Sequence, residues 1–400
     1  MSVYGLIPKD WQESELNNIA TLVTDGAHSS PKPQSQGRFM CSVKDMTYNK
    51  FDFSNVKLIS EDDYQFLVHQ GCSPKKGDLL ISKDGANCLD LLFLYEQDDE
   101  IVLLSSIAII RLKDTVCKEY VRYFLLSPDC QFIMRSNYVS GSAIPRVVLK
   151  DFKKVPIVLP PLSEQKAIAS VLSSVDGKID LLHRQNKTLE SMAETLFRQW
   201  FVEEAQEDWE RGFLPDEFTL TMGQSPQGTS FNEEKVGIPM YQGNADFGFR
   251  FPKQRIYTTK PTRYAYENDT LISVRAPVGA QNMAMEKCCI GRGVAAFKFK
   301  KNNDYYTYTY FKLRSLMSEI KQFNDQGTVF GSISKSDLEN FEITLPPCEI
   351  INRFETVVGP VNEKIISNCR SIISLESLRD TLLPKLMSGE VRVKYEESQE

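Results

Sequence analysis

Ten positions between Ile168 and Trp200 recur at alternating spacings of four and three residues: Ile168, Leu172, Val175, Ile179, Leu182, Asn186, Leu189, Ala193, Leu196 and Trp200. All but Asn186 are apolar. Such a heptad seam needs a long helix with a helical partner, because one side of the helix stays uncovered otherwise. Pro160-Pro161 stands before the run, Ser163 is a candidate N-cap, and no proline follows within it. Gly177 lies off the seam and costs roughly 1 kcal/mol against alanine.

The partner is in the same chain. Adding 186 to each position gives Phe354, Val358, Val361, Ile365, Asn368, Ile372, Leu375, Arg379, Leu382 and Leu386, and Pro346-Pro347 precedes them as Pro160-Pro161 precedes the first run. The chain is therefore an internal repeat in which each copy ends in a long helix. Asn368 corresponds to Leu182, not to Asn186. If the helices run antiparallel with paired numbers summing to 554, Ile168 meets Leu386, Trp200 meets Phe354, and Asn186 meets Asn368. A buried asparagine costs stability unless it finds a partner, so this register is the expected one, with Asn186 and Asn368 as its markers. Hydration of each asparagine separately is the alternative.

Ahead of each helix the same order of elements recurs. In the first copy, residues 11–22 form a lead-in and 25–37 a Gly/Ser/Pro-rich loop. Strand-like runs follow at 56–59, 79–82, 91–95 and 101–111, then a helical run at 118–135, a Gly141-Ser142 turn and a last strand at 155–159. In the second copy, 213–222 is the lead-in and GQSPQG (223–228) the loop. KGDLLIS (76–82) answers ENDTLIS (267–273), and AIIRLK (108–113) answers AAFKFK (295–300). Tyr120 and Leu125 answer Tyr306 and Phe311, and residues 141–161 answer 327–347 without a gap. The fold class expected is α/β (α+β): two mixed α/β units in a pseudo-two-fold repeat, separated by two long antiparallel coiled-coil helices. A helix of forty residues is about 60 Å long. A two-fold reader with rigid spacing would suit two DNA half-sites a fixed distance apart, and a structural spacer would use the same build.

Bulk composition narrows the class. The 400 residues suggest two to three domains, and no apolar run is long enough for a membrane helix. The N-terminus lacks the basic and apolar regions of a signal peptide, so a cytoplasmic location is expected. Nine scattered cysteines and three histidines (His28, His69, His183) show no zinc spacing, and neither a metal nor a cofactor is expected. Net charge is −6, yet residues 250–300 hold ten Lys/Arg against three acids. A local positive face on an acidic chain fits DNA contact by one surface.

Enzymatic readings fail on residues. Both double prolines sit in Leu-Pro-Pro, not in the Asn/Asp-Pro-Pro-aromatic motif of an adenine methyltransferase. There is no phosphate-binding loop, and Gly291-Arg292-Gly293 lacks the third glycine of a dinucleotide fingerprint. Asp78 with Lys83 could suggest a nuclease metal site, but the repeat has Asp269 and Val274 there, so Asp78 reads as the cap of a turn.

TLISVRAPVGA (270–280), IGRGVAAF (290–297), GTVFGSISKSDLENFEITLPP (327–347), LPPLSEQKAIASVLSSVD (159–176) and SLESLRDTLLPKLMSGEV (374–391) together resemble the DNA specificity subunit of type I restriction–modification systems, over nearly the whole chain. The resemblance implies a non-catalytic subunit of a methyltransferase/endonuclease complex. Residues 1–158 and 206–346 would be target recognition domains, each reading one half of a bipartite site in double-stranded DNA. Helical regions 159–205 and 347–400 would set the spacer and dock methyltransferase subunits, two in number, through which restriction subunits join. The second copy departs from the pattern, because CEIINRF (348–354) replaces the acid–glutamine pair Glu164-Gln165, so the two partner-binding faces are expected to differ. A scaffold of the same build without DNA selectivity is the competing class.

Candidate DNA contacts follow from side-chain chemistry. Arginine suits guanine, lysine suits phosphate, and Gln or Asn suits adenine. In the second unit they are Arg250, Lys253, Arg255, Arg275, Arg292, Gln242 and Asn244; in the first, Lys32, Arg38, Lys44, Lys83 and Arg146. Phe247, Phe249 and Phe251 alternate as one face of a strand would. Lys178, Arg184, Lys187 and Arg198 are exposed helix positions, open to solvent or to partners. Trp200 and Phe201 are expected to pack on the second domain rather than to anchor a partner subunit.

Overall fold

Strand Leu79–Ser82 is buried along its whole length, and its residues alternate between two cores. Leu79 and Ile81 face a core built with Tyr120, Phe124 and the long-helix residues Ile168, Leu172, Leu383 and Leu386, whereas Leu80 faces one built with Cys41, Phe51, Phe93 and Leu103. A strand covered on both sides carries an unbroken apolar run, which is why LLIS shows no alternation. Strand Thr270–Ser273 repeats the arrangement: Ile272 joins Phe297, Tyr308 and Phe354, and Leu271 joins Tyr241, Ile290 and Ala296. Gly77 and Asn268, one residue before the two turn aspartates, both have φ near +70 to +80°. This turn conformation suits glycine and asparagine.

The structure is a computed structural model and describes residues 4–5, 7–141, 144–325 and 331–394. Ser142 of the expected turn, and residues 327–330 of the segment matching 141–161, lie outside the described residues. The chain forms two compact units, 1–179 with 375–400, and 180–374. Each unit holds part of both long helices, so the units cut the chain differently from the linear division into domains and helices.

In the first unit a four-stranded sheet orders Ala20–Asp25, Ile107–Leu112, Leu79–Ser82 and Leu92–Leu94, and a three-stranded sheet orders Lys57–Ile59, Arg38–Cys41 and Ile101–Leu103. The second unit repeats the four-stranded sheet with Phe218–Met222, Val294–Phe299, Thr270–Ser273 and Gln281–Met283. Its other sheet has five strands, in the order Phe231–Asn232, Ile256–Thr258, Ile238–Tyr241, Cys288–Ile290 and Tyr264–Ala265. In each unit the lead-in strand pairs with the strand before the double proline: Gln12–Glu15 with Pro156–Leu159, and Glu210–Phe213 with Glu342–Leu345. The chain is thus two mixed α/β units in tandem repeat, each copy closing in a long helix.

Several local expectations change. The run 101–111 is two strands in different sheets, broken at Leu104–Ser106, where Ser105 N donates to Ala27 O. The helical run at 118–135 is two helices, Lys118–Leu126 and Pro128–Tyr138, because proline cannot supply the N–H to continue the first and sits well at the start of the second. Helix Glu61–His69 has too little apolar periodicity to read, with only Tyr64 and Leu67 buried. Phe247, Phe249 and Phe251 do not form a strand; Phe251 is buried and Phe249 exposed.

The long helices run Leu162–Arg198, continued by a π-helical turn Gln199–Glu203, and Cys348–Ser388. Ser163 lies inside the first, not at its cap, and Gln165 N already bonds Pro161 O. The second contains Pro360 and Pro384. Each removes a helical hydrogen bond at a cost of about 3 kcal/mol, so the burial of the seam on both sides is what carries this helix through them. All twenty seam residues are buried or half-buried. In the second unit the helices are antiparallel: Trp200 meets Phe354 with ring centres 6.0 Å apart, and Asn368 Nδ2 donates to Asn186 Oδ1 at 2.9 Å. Asn186 Nδ2 lies 3.3 Å from Cys369 Sγ. Phe201 packs against Phe197, Tyr308 and Phe354 within the same unit. In the first unit Arg379 reaches Asp176 at 3.3 Å.

Candidate nucleic-acid interface

Three loops of the second unit meet at the end of its five-stranded sheet. Strand Ile238–Tyr241 runs into Gln242-Gly243-Asn244, and Gln242 N donates to Asp246 Oδ2 at 2.8 Å, closing a tight turn. Gly291 N donates to Tyr241 O, and Gly223 N to Val294 O. A Cβ on Gly293 would fall 2.1 Å from Gln242 O, and one on Gly223 2.1 Å from Gly291 O. Only glycine allows this approach, which accounts for Gly223 and Gly293 without any nucleotide-binding role. Arg292 N donates to Ser225 Oγ at 3.2 Å. A cleft of about 380 Å³ opens here, lined by Gln242, Asn244, Asp246, Arg255, Ala276 and Pro277 among others.

The fold brings six of the seven second-unit candidates to this region. Gln242, Asn244 and Arg255 line the cleft, and Lys253 stands two residues from Arg255. Arg275 precedes Ala276-Pro277, and Arg292 lies between the two glycines packed on Gln242. Lys253, Arg255, Arg275, Arg292 and Gln242 are exposed and Asn244 is half-buried. Asp246 binds the Arg255 guanidinium, so that arginine is aimed by a carboxylate.

Arg250 is a correction. Its side chain has no exposure; it bonds Glu190 Oε2 on the first long helix at 2.5 Å and lies 3.8 Å over the Tyr310 ring. Nε and Nη1 of this guanidinium have no hydrogen-bond partner among the described residues, but the side chain is sealed inside the unit, where no base can reach it. Burial pushes the Glu190 carboxyl up, against the pull of Arg250 and Arg314.

Lys83 in the first unit is also corrected. It is 5% exposed and pairs with Asp25 at 3.2 Å and Asp84 at 3.5 Å. Arg146, exposed, bonds the same Asp84 at 3.0 Å. Arg38, half-buried, is held by Glu61 and Glu100, each at 2.6 Å. Lys32 and Lys44 are exposed. Lys44 sits on the turn Val43–Asp45, where Ser42 N donates to Asp45 Oδ2 at 2.7 Å as Gln242 N does to Asp246. The sequence reading missed the carboxylates that position these cations: Asp25, Asp84 and Asp246. Ser42-x-x-Asp45 is a capping-box spacing and was legible as such.

Asp78 caps the turn before its strand, accepting from Lys75 N at 2.8 Å, and pairs with Arg111 at 2.6 Å. Asp269 does the same with Tyr266 N at 2.8 Å. Among the described residues no group of three or more His, Cys, Asp and Glu is placed to share a metal ion, and no helix is long and apolar enough to cross a membrane. Glu164 and Gln165 are not a partner-binding face. They are 0% and 3% exposed, Glu164 bonding Trp11 and Arg392 and Gln165 bonding Cys117 N and Pro160 O.

Comparison with known proteins agrees with this architecture. The family model for the type I restriction modification DNA specificity domain matches twice, over residues 8–191 and 206–368. A Methanocaldococcus jannaschii chain assigned to the type I restriction enzyme MjaX as its specificity subunit is 30% identical, covering 98% of this chain and 96% of that one. The MjaIX specificity subunit of the same organism is 25% identical over 97% and 95%. The crystal structure of a type I restriction–modification S subunit from M. genitalium shares the fold, with a TM-score of 0.60 at 17% identity over 96% of this chain and 98% of that one. With both halves matched by the same domain and the whole length shared with such subunits, this chain belongs to the type I restriction–modification DNA specificity family.

Proposed function

We propose that the chain selects the DNA sequence for a type I modification complex. The observation that carries this reading is the double occurrence of one specificity domain, at 8–191 and 206–368, the second with exposed basic and amide side chains on loops at a sheet end. Each unit reads one half of a bipartite site in duplex DNA. In the second unit Arg255, Arg275 and Arg292 supply guanine or phosphate contacts, Gln242 and Asn244 adenine contacts, and Lys253 a phosphate contact. In the first, Lys32, Lys44, Arg38 and Arg146 have the reach. The long helices set the gap between half-sites and dock two methyltransferase subunits, through which restriction subunits join. The chain itself carries no catalytic step.

Methylation mapping tests this. The chain is co-expressed with its methyltransferase subunit in a host free of methylation, and modified bases are sequenced genome-wide. One bipartite motif with a fixed gap, lost when the chain is omitted, is the expected result. Arg292→Ala should relax one position in one half-site, whereas Lys253→Ala should weaken all sequences alike. A purified complex that yields no motif would leave a scaffold without selectivity.

A further inference from the structure

The segment that follows the second long helix packs on the lead-in of the first unit. Arg392 places Nε 2.5 Å from Glu164 Oε1 and Nη2 2.6 Å from Asp10 Oδ2, with its guanidinium 5.7 Å from the centre of the Trp11 ring. Trp11 Nε1 donates to Glu164 Oε2 at 3.1 Å. This is a complete guanidinium site: two carboxylates, an aromatic face, and an acceptor for the indole.

The second unit keeps half of that site. Asp208-Trp209 precedes Glu210–Phe213 as Asp10-Trp11 precedes Gln12–Glu15. The repeat offset carries Arg392 to Gln206 and Glu164 to Ile350, so both the guanidinium and its deepest carboxylate are gone. A cavity of about 380 Å³ lies here instead. Its charged lining is Asp208, Glu210, Asp216 and Glu217 against Lys301, and Trp209 forms part of the wall. Two buried polar atoms of that lining have no partner among the described residues: Trp209 Nε1 and Glu217 Oε2, on residues 8% and 6% exposed. Glu217 Oε1 is already taken by the Tyr308 hydroxyl at 2.7 Å.

We propose that this cavity receives an arginine side chain from a partner polypeptide, in the place that Arg392 fills beside Trp11. The guanidinium donates to Glu217 and Asp208 and lies against the Trp209 ring, and a peptide carbonyl of the same segment accepts from Trp209 Nε1. A lone cation would leave the indole unpaired; an arginine within a peptide supplies both donor and acceptor. The inference does not depend on the DNA-reading role.

The test uses the full-length ¹⁵N-labelled chain, whose three tryptophans give three indole N–H resonances, that of Trp209 identified by Trp209→Phe. N-acetyl-L-arginine amide should move the Trp209 resonance saturably, with half-saturation on the order of 1 mM for a ligand of this size. N-acetyl-L-citrulline amide, equal in shape and uncharged, should bind about tenfold more weakly. Glu217→Gln and Asp208→Asn should each weaken binding of the arginine amide, with the Trp11 and Trp200 resonances in place as evidence of an intact fold. No saturable movement of the Trp209 resonance, an equal response to citrulline amide, or unchanged affinity in both variants would overturn the proposal. Binding of free L-arginine without binding of the blocked amide would also overturn it, in favour of a small-molecule site.

Discussion

At the residue scale, the buried charges of the second unit do work that their residue types do not announce. Arg250 has the chemistry of a base reader and the position of a strut between a loop and the first long helix. Arg250→Met should leave the buried Glu190 with only Arg314, 3.9 Å away, and cost up to about 3–5 kcal/mol, whereas Arg250→Met with Glu190→Leu should recover most of that. Denaturation of the variants checks the energies; methylation mapping should find the recognised motif unchanged. Glu217 makes a prediction about pH. Burial, opposed by Lys312 and the Tyr308 hydroxyl, holds its carboxyl up at about 7, against 4.5 ordinarily. Between those values the folded state binds more protons than the unfolded chain, so this group makes the unit less stable as pH rises through that window. Glu355, also pushed up to about 7 by burial, adds to the trend, while Lys312, pushed down from 10.5 by burial, acts in the opposite sense in the window below 10.5. Glu217→Gln should flatten the melting temperature between pH 4.5 and 7 and be more stable than the parent at pH 8 by about 1–3 kcal/mol. An unaltered pH profile would contradict this account.

At the element scale, the seam shows how a polar pair is carried inside an apolar interface. Asn186 and Asn368 are 1% and 2% exposed, and each is the other's amide partner. We propose that they fix the helix register. Replacing either by leucine removes the amide–amide bond, leaving Asn186 only Cys369 Sγ or Asn368 only the distant Gln185 Oε1, and should cost about 1–3 kcal/mol, while the double variant should cost less than the sum, since both amides leave together. The second unit's transition, followed by Trp200 and Trp209 fluorescence, measures the cycle, and additive losses would contradict the pairing. The shift of Asn368 from the repeat offset is what made this pair legible in sequence. The helix break at Ser127-Pro128 and the strand break at Leu104–Ser106 were marked in the sequence only by Pro128 and by Ser105-Ser106, with apolar residues resuming soon after each.

At the scale of the whole molecule, the repeat and the compact unit do not coincide. The first unit is completed by residues 375–400, which bring Leu383, Leu386 and Met387 to the core shared with Ile168 and Leu172, and Arg392 to Glu164. A fragment ending after the first long helix, at residue 204, keeps one whole repeat but leaves that seam uncovered and Glu164 without its arginine. It should therefore self-associate or aggregate, and a peptide covering 375–394 added in trans should shift it toward monomer, as sedimentation would show. A monomeric fragment with the parent melting temperature would contradict this.

The repeat and the two long helices were legible in the residues alone, and so was an antiparallel register for the helices, which the second unit shows. Each of these is written in a period: seven for the seam and an offset of 186 for the copies. Periods survive without knowledge of the partner. Which cations reach the surface was settled only by packing. Arg250 and Arg255 are five residues apart with the same side chain, yet one is sealed against Glu190 and Tyr310 while the other lines an open cleft. Whether a charged group meets solvent or a buried carboxylate depends on residues sixty positions away, and no local pattern encodes that distance.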